Sequence, residues 1–134
     1  MNPSTKKLCI FGLATGVANM LVEQSTDERV KWRAQVLAKA GQLAVDKCNI
    51  KVDKSKLKQV QVKIDEVCKD KSEFDTVDML SFLLLGLDDL QANCKDTSII
   101  NVMIKRTNWL IQYFDPKLEN VDMFDRVLKR YLAW

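Results

Sequence analysis

Apolar positions along the chain follow helical spacing almost throughout. Leu8 to Val22 is a nearly uncharged run between Lys7 and Glu23. Within it Leu8, Phe11, Thr15, Ala18 and Val22 recur three or four apart, and Cys9, Leu13, Val17, Met20 and Leu21 widen the stripe. Ser4 and Thr5 precede it as N-cap residues, predicting a helix over 5–23. A second stripe runs through Val30, Ala34, Leu37, Gly41 and Ala44, predicting a helix over 27–47 that starts at a capping box from Ser25 to Glu28. Leu57, Val60, Ile64, Val67 and Cys68 form a narrower stripe among lysines, which predicts a polar edge helix from Asp53 or Ser55 to about Asp70.

The next segment differs. Met79 to Leu87 is apolar on every face, with Asp75 placed as N-cap and Asp78 at the third helical position. A stretch of this kind lies at the centre of a fold or turns one side to an interface, and the centre is the expectation here. A fifth helix follows the cap signal Asp96-Thr97-Ser98 and carries Ile99, Ile100, Met103, Ile104, Leu110, Ile111 and Phe114. Asp115-Pro116 reads as the start of a sixth, with Leu118, Val121, Phe124, Leu128, Tyr131 and Leu132 on its apolar side. No strand alternation or hairpin turn interrupts these patterns. The fold class is therefore all-α, a compact bundle of five to six helices with short connections in a single domain over 1–134.

The opening run admits three readings. Lys6-Lys7, Leu8 to Gly16 and then Gly16-Val17-Ala18 have the outline of an export signal. A membrane span needs about 20 apolar residues, and the run stops short of that and includes Thr15 and Asn19. The third reading is a retained, buried helix. Gly12 and Gly16 lie four apart beside Ala14 and Ala18, and helix 27–47 is rich in small residues (Ala34, Ala38, Ala40, Gly41, Ala44). Each helical glycine costs roughly 1 kcal/mol relative to alanine, a cost that close backbone contact would offset. The expectation is an antiparallel hairpin of the first two helices, closed through these small residues.

Cysteine usage favours the third reading. Removal of an export signal would leave only Cys48, Cys68 and Cys94, an odd number for a disulfide framework. No C-x-x-C occurs, so buried reduced thiols and a cytoplasmic location are expected.

Composition narrows the chemistry. The 134 residues include no histidine, which removes the commonest general base and metal ligand. No phosphate-binding glycine loop is present. Glu119, Asp122 and Asp125 recur on one helix face, but in a first turn, where the helix dipole itself favours negative charge. No catalytic residue, metal ligand or cofactor is therefore assigned, and an enzyme is not expected.

Net charge is +3 and unevenly spread: residues 1–71 carry 14 Lys+Arg against 8 Asp+Glu, and residues 72–134 carry 7 against 10. Lys54, Lys56, Lys58 and Lys63 offer a basic surface, although Asp53, Asp65, Glu66 and Asp70 interrupt it. Lys105-Arg106 with Trp109 and Tyr113 adds charge beside aromatics. Trp32 sits between Lys31 and Arg33 on the less apolar side of its helix, and Trp134 follows the final helix. Tryptophan is enriched at binding hot spots.

The expected function is that of a small non-enzymatic interaction module, an adaptor, inhibitor or assembly subunit that buries an apolar helical face against another protein or a second copy. Phe11, Gly12, Gly16, Trp32 and Trp134 are its candidate interface residues. Two alternatives compete: a peripheral membrane protein docking through its first helix, and a sequence-independent nucleic-acid binder using the lysines of 51–71. No small-molecule substrate is implied.

Overall fold

The computed structural model describes residues 3–47, 58, 59, 62, 75–93, 97–117 and 121–133, without the side chains of Pro3, Ser4, Asn93 and 121–126. Five helices carry the fold: α1 (Pro3–Gln24), α2 (Glu28–Lys47), α3 (Thr76–Asn93), α4 (Ser98–Phe114) and α5 (Val121–Leu132). No strand occurs among the described residues. The expected edge helix over 53–70 lies outside them except at Lys58, Gln59 and Val62, which are helical and exposed.

The first four helices form a ring in which α1 packs on α2, α2 on α4, α4 on α3 and α3 on α1, with α5 against the flank of α3. Every neighbouring pair in the ring is antiparallel. Phe11 of α1 faces Gly41 of α2, equidistant from the turn that joins the two helices. Lys6 and Leu21 of α1 meet Asp89 and Thr76 of α3, at opposite ends. Asp27 and Arg33 lie beside Tyr113 and Trp109 of α4, and Gln91 donates to Asn101 between α3 and α4.

Helix starts are written in local side-chain chemistry and follow expectation unevenly: α1 already includes Ser4 and Thr5, which were expected to cap it. At α3 the Asp75 carboxylate accepts from the Asp78 N–H at 2.9 Å, and the Asp78 carboxylate accepts from the Asp75 N–H at 3.0 Å. This is the reciprocal box expected there. At α2 the cap is Asp27, which accepts from the Arg29 N–H at 2.9 Å. Ser25 instead accepts from the Asp27 N–H at 3.2 Å and tightens the turn before it. At α4 Thr97 holds the N-cap position with no side-chain hydrogen bond.

Asp115-Pro116 does not open a helix. Asp115 caps the end of α4, its N–H donating to the Ile111 carbonyl at 2.8 Å, and its side chain accepts from the Lys117 N–H at 3.3 Å. The same Asx geometry serves a helix exit as well as an entry, and Pro116 and Lys117 form a turn, not a first helical turn. Glu119 and the side chains of Asp122 and Asp125 lie outside the described residues.

The core draws on every helix. Ile10, Phe11, Leu13, Leu37, Leu80, Phe82, Leu83, Leu87, Met103 and Leu110 are fully buried. The all-apolar segment of α3 is central, touching α1, α4 and α5. Helix α1 is longer than the expected 5–23, and its segment Thr5–Gln24 is long and apolar enough to cross a membrane by length and composition, with half of it buried inside the protein. Two neighbours, α2 and α3, cover its apolar sides. Leu8, Cys9, Ile10, Phe11, Leu13, Ala14, Val17, Ala18 and Leu21 are all buried. Phe11, expected at an interface with another molecule, is a core residue of this chain with no exposed surface.

The α1–α2 hairpin closes at Gly41, one of the small residues expected there, and a second close contact falls to Gly86, which was not expected. A Cβ at Gly41 would lie 3.0 Å from Thr15 Oγ1 and 3.3 Å from the Phe11 carbonyl, so α2 approaches α1 at its own glycine. Thr15, the polar residue of the opening run, is accommodated there because its hydroxyl donates to the Phe11 carbonyl at 3.1 Å. A Cβ at Gly86 would press on Ile10, reaching 2.8 Å from its Cγ1. Gly16 is exposed and meets nothing within 4 Å. It lies with half-buried Gly12 and exposed Asn19 and Glu23 on the solvent stripe of α1.

Candidate functional site

The side chains that stand out chemically lie outside the core, on the face shared by α2 and α4. On α2, Arg29, Trp32 and Arg33 fall three and four apart, so they project on one side of the helix. On α4, Arg106, Trp109 and Tyr113 do the same. Antiparallel packing then places the two sets side by side, cation against ring. The Arg29 guanidinium lies 5.7 Å from the Tyr113 ring centre. Tyr113 stacks on Trp109 at 5.4 Å, nearly parallel at 16°. Arg33 sits 3.8 Å from the Trp109 ring and 5.1 Å from that of Trp32. Arg106 closes the series 4.7 Å from Trp32. The result is a ladder, Arg29–Tyr113–Trp109–Arg33–Trp32–Arg106, that crosses the helix seam repeatedly. Ring quadrupoles attract guanidinium groups and restrict their orientations.

The ladder is anchored at one end and open at the other. At the anchored end Asp27 accepts from Tyr113 Oη at 2.8 Å and from Arg29 at 2.9 Å (Nη2) and 3.2 Å (Nε). These donors hold the Asp27 carboxyl well below the usual carboxylate range, the Arg29 bond first and the Tyr113 bond second. The same bonds push the Tyr113 phenol and the Arg29 guanidinium upward, each chiefly through Asp27. An open cleft of about 310 Å³ adjoins this end, between Leu21, Asp27, Thr76, Tyr113 and Phe114. At the open end, Arg33 donates from Nη1 to the Arg29 carbonyl at 3.2 Å, and the Nε atoms of Arg33 and Arg106 are buried without a hydrogen-bond partner. Among the described residues neither guanidinium is in an ion pair.

Besides Val62 and Leu132, the exposed large apolar side chains among the described residues lie on the same two helices. Trp32 (50% exposed) and Leu43 (51%) lie on α2, and Val102, Tyr113 and Phe114 on α4. Trp32, Val36 and Leu43 share one stripe, and Val102, Arg106 and Tyr113 share the facing one. Exposed Lys39 and Lys105 stand among them.

A second polar cluster lies at the opposite end of the bundle. Lys6 Nζ is 3.3 Å from Asp89 and 4.5 Å from the centre of the Tyr131 ring. Tyr131 donates its hydroxyl to Asp89 at 2.7 Å, and its ring meets Phe82 edge-on at 5.6 Å. Desolvation raises the Tyr131 phenol, and the bond to Asp89 adds to it; that same bond is the main reason the Asp89 carboxyl is lowered. This cluster ties α1, α3 and α5 together.

Of the expected interface residues, Trp32 alone is both described and prominent at the surface. Phe11 is internal, Gly12 and Gly16 line the solvent stripe of α1, and Trp134 lies outside the described residues. Lys58 is exposed, and Lys54, Lys56 and Lys63 lie outside the described residues. Cys9 is buried, and Cys48, Cys68 and Cys94 are not described. No group of three or more histidine, cysteine, aspartate or glutamate side chains converges among the described residues. Sequence reading noted Trp109 and Tyr113 beside Lys105-Arg106 but did not join them to Arg29 and Arg33. The available signal was a matching Arg/aromatic spacing on two separate helices. No known protein family, curated protein or solved structure matches the chain.

Proposed function

We propose that this chain is a non-enzymatic helical interaction module whose working surface is the α2–α4 face. The observation that carries the reading is the ladder itself: an ordered series of Trp, Tyr and Arg on rigid helices, bordered by exposed Leu43 and Val102. These three residue types dominate binding hot spots, because each offers a large contact area together with hydrogen-bond donors. Pre-ordering by cation–π contact lowers the entropy lost on docking. The surface assigned from sequence to the first helix moves to α2 and α4, because α1 spends its large apolar side chains on the core. The same burial favours an adaptor-like protein over one that docks to lipid through α1, whose exposed stripe holds Gly16, Asn19 and Glu23.

Site-specific photocrosslinking in the source cell tests the proposal. A benzophenone amino acid at position 32 should give discrete protein adducts, and the same group at Asn19 on α1 should not. Equal labelling from both positions, or none from position 32, would refute it.

A further inference from the structure

We infer that the partner segment received by the α2–α4 face is an acidic amphipathic helix; the inference rests on the interaction reading above and specifies the chemistry of its partner. Three observations lead there.

The first is charge. Asp27 neutralises Arg29 and Glu28 lies 3.8 Å from Lys31, but Arg33, Arg106, Lys39 and Lys105 enter no ion pair among the described residues. Guanidinium groups stacked on indoles keep their N–H edges free for carboxylates, which they bind in bidentate fashion.

The second is the mixture of charge with aliphatic surface. Leu43 and Val102 are exposed beside the cations. Aliphatic side chains do not stack on bases, and single-stranded nucleic acid is held by aromatic platforms within a lysine- and arginine-lined groove. An amphipathic helix uses both kinds of surface at once, its apolar residues against Trp32, Leu43 and Val102 and its flanking carboxylates against the arginines.

The third is shape. Two antiparallel helices present a shallow lengthwise seam, which a third helix can follow, each apolar residue spaced three or four from the next. The chain's own 51–71 segment is a poor occupant by charge, with seven lysines against four acids.

The test uses the full-length chain against a phage-displayed library of helical peptides with randomised outward positions. The winning peptides are then measured by fluorescence anisotropy, in parallel with a mixed-sequence single-stranded oligodeoxynucleotide. The expected winners carry Asp or Glu flanking a Leu- or Phe-bearing stripe. Their affinity should fall about tenfold or more in R33E/R106E, and also fall in Arg106→Gln, a single neutral change at the outer rung that keeps the Arg33 stack. Lys129→Glu, on α5 and away from this face, should leave it unchanged. Circular dichroism checks that each variant is folded.

Winners without an acidic excess, binding indifferent to both arginine variants, or tighter binding of the oligonucleotide would each overturn the inference. So would a dimer in light scattering that R33E/R106E dissociates, because a second copy would then fill the face. If photocrosslinks from position 32 persist while the peptides show no acidic bias, the partner chemistry is wrong and the interaction reading stands. If neither crosslinks nor peptides are obtained, both fail.

Discussion

The α1–α3 and α2–α4 contacts are both antiparallel helix pairs of one bundle, and they are built on opposite principles. Between α1 and α3 the middle of the contact is dry: Ile10 presses into the space that Gly86 leaves by lacking a side chain, with Leu80, Leu83 and Leu87 fully buried on α3. Between α2 and α4 an interior layer of Leu37, Met103 and Leu110 is overlaid by an outer layer of guanidinium and indole rings. The difference separates two tasks. Shape complementarity at α1–α3 sets stability, and a change there is felt as strain or void. The outer layer of α2–α4 is partly exposed and its cations are only partly paired, so its removal should alter recognition more than folding.

Filling the dry contact should have the largest effect. Gly86→Ala should destabilise the protein by about 1–3 kcal/mol, because the added methyl cannot coexist with the present Ile10 rotamer. Ile10→Val, costing about 0.5–1.5 kcal/mol alone, should recover part of that loss when combined, since it removes the Cδ1 that Gly86 admits. Urea denaturation of the four-member cycle measures the coupling. Additive losses would show that Ile10 is not what Gly86 accommodates.

On the wet side the corresponding break is at the anchor. Asp27→Asn should lower the melting midpoint by less than Gly86→Ala does. The pH dependence follows from the lowered Asp27 carboxyl. Its contribution is fully present above the unfolded-state value of about 3.9 and is lost as pH falls through the lower folded-state value. The gap between wild type and variant should therefore be constant near neutrality and narrow below about pH 4. A gap independent of pH would mean that the carboxylate charge is not what holds Arg29 and Tyr113.

The smallest effect, and of opposite sign, belongs to the solvent stripe of α1. Gly16→Ala should stabilise by about 0.5–1 kcal/mol, because the new Cβ meets nothing and alanine is the better helix former. Destabilisation would mean that something covers this stripe.

These glycines also mark where sequence reading stops. Helical spacing placed Gly12 and Gly16 on a common face, and they do share one. Spacing does not say which face meets a neighbour: Gly16 meets none, Gly41 closes the hairpin as its small-residue setting suggested, and the use of Gly86 depends on the partner helix. The Asp75/Asp78 box was legible because its donors and acceptors lie three residues apart. The central position of Met79–Leu87 was legible because no face of that segment suits water. Asp115-Pro116 was misread because a capping aspartate has the same local chemistry on either side of a break. The ladder was half legible: each helix showed its own aromatics and cations, but their interleaving depends on the α2–α4 register, which couples residues some eighty positions apart.

The clasp at the other end of the bundle has a consequence for how the molecule breathes. Helix ends ordinarily fray independently, each at little cost. Here Lys6, in the second turn of α1, is held by Asp89 and lies over the ring of Tyr131 near the end of α5. Opening either end breaks a contact to the same Asp89 carboxylate and uncovers the same Tyr131 ring. Amide hydrogens in the first turns of α1 and the last turn of α5 should therefore open as one unit and exchange with solvent together, despite lying at opposite ends of the sequence.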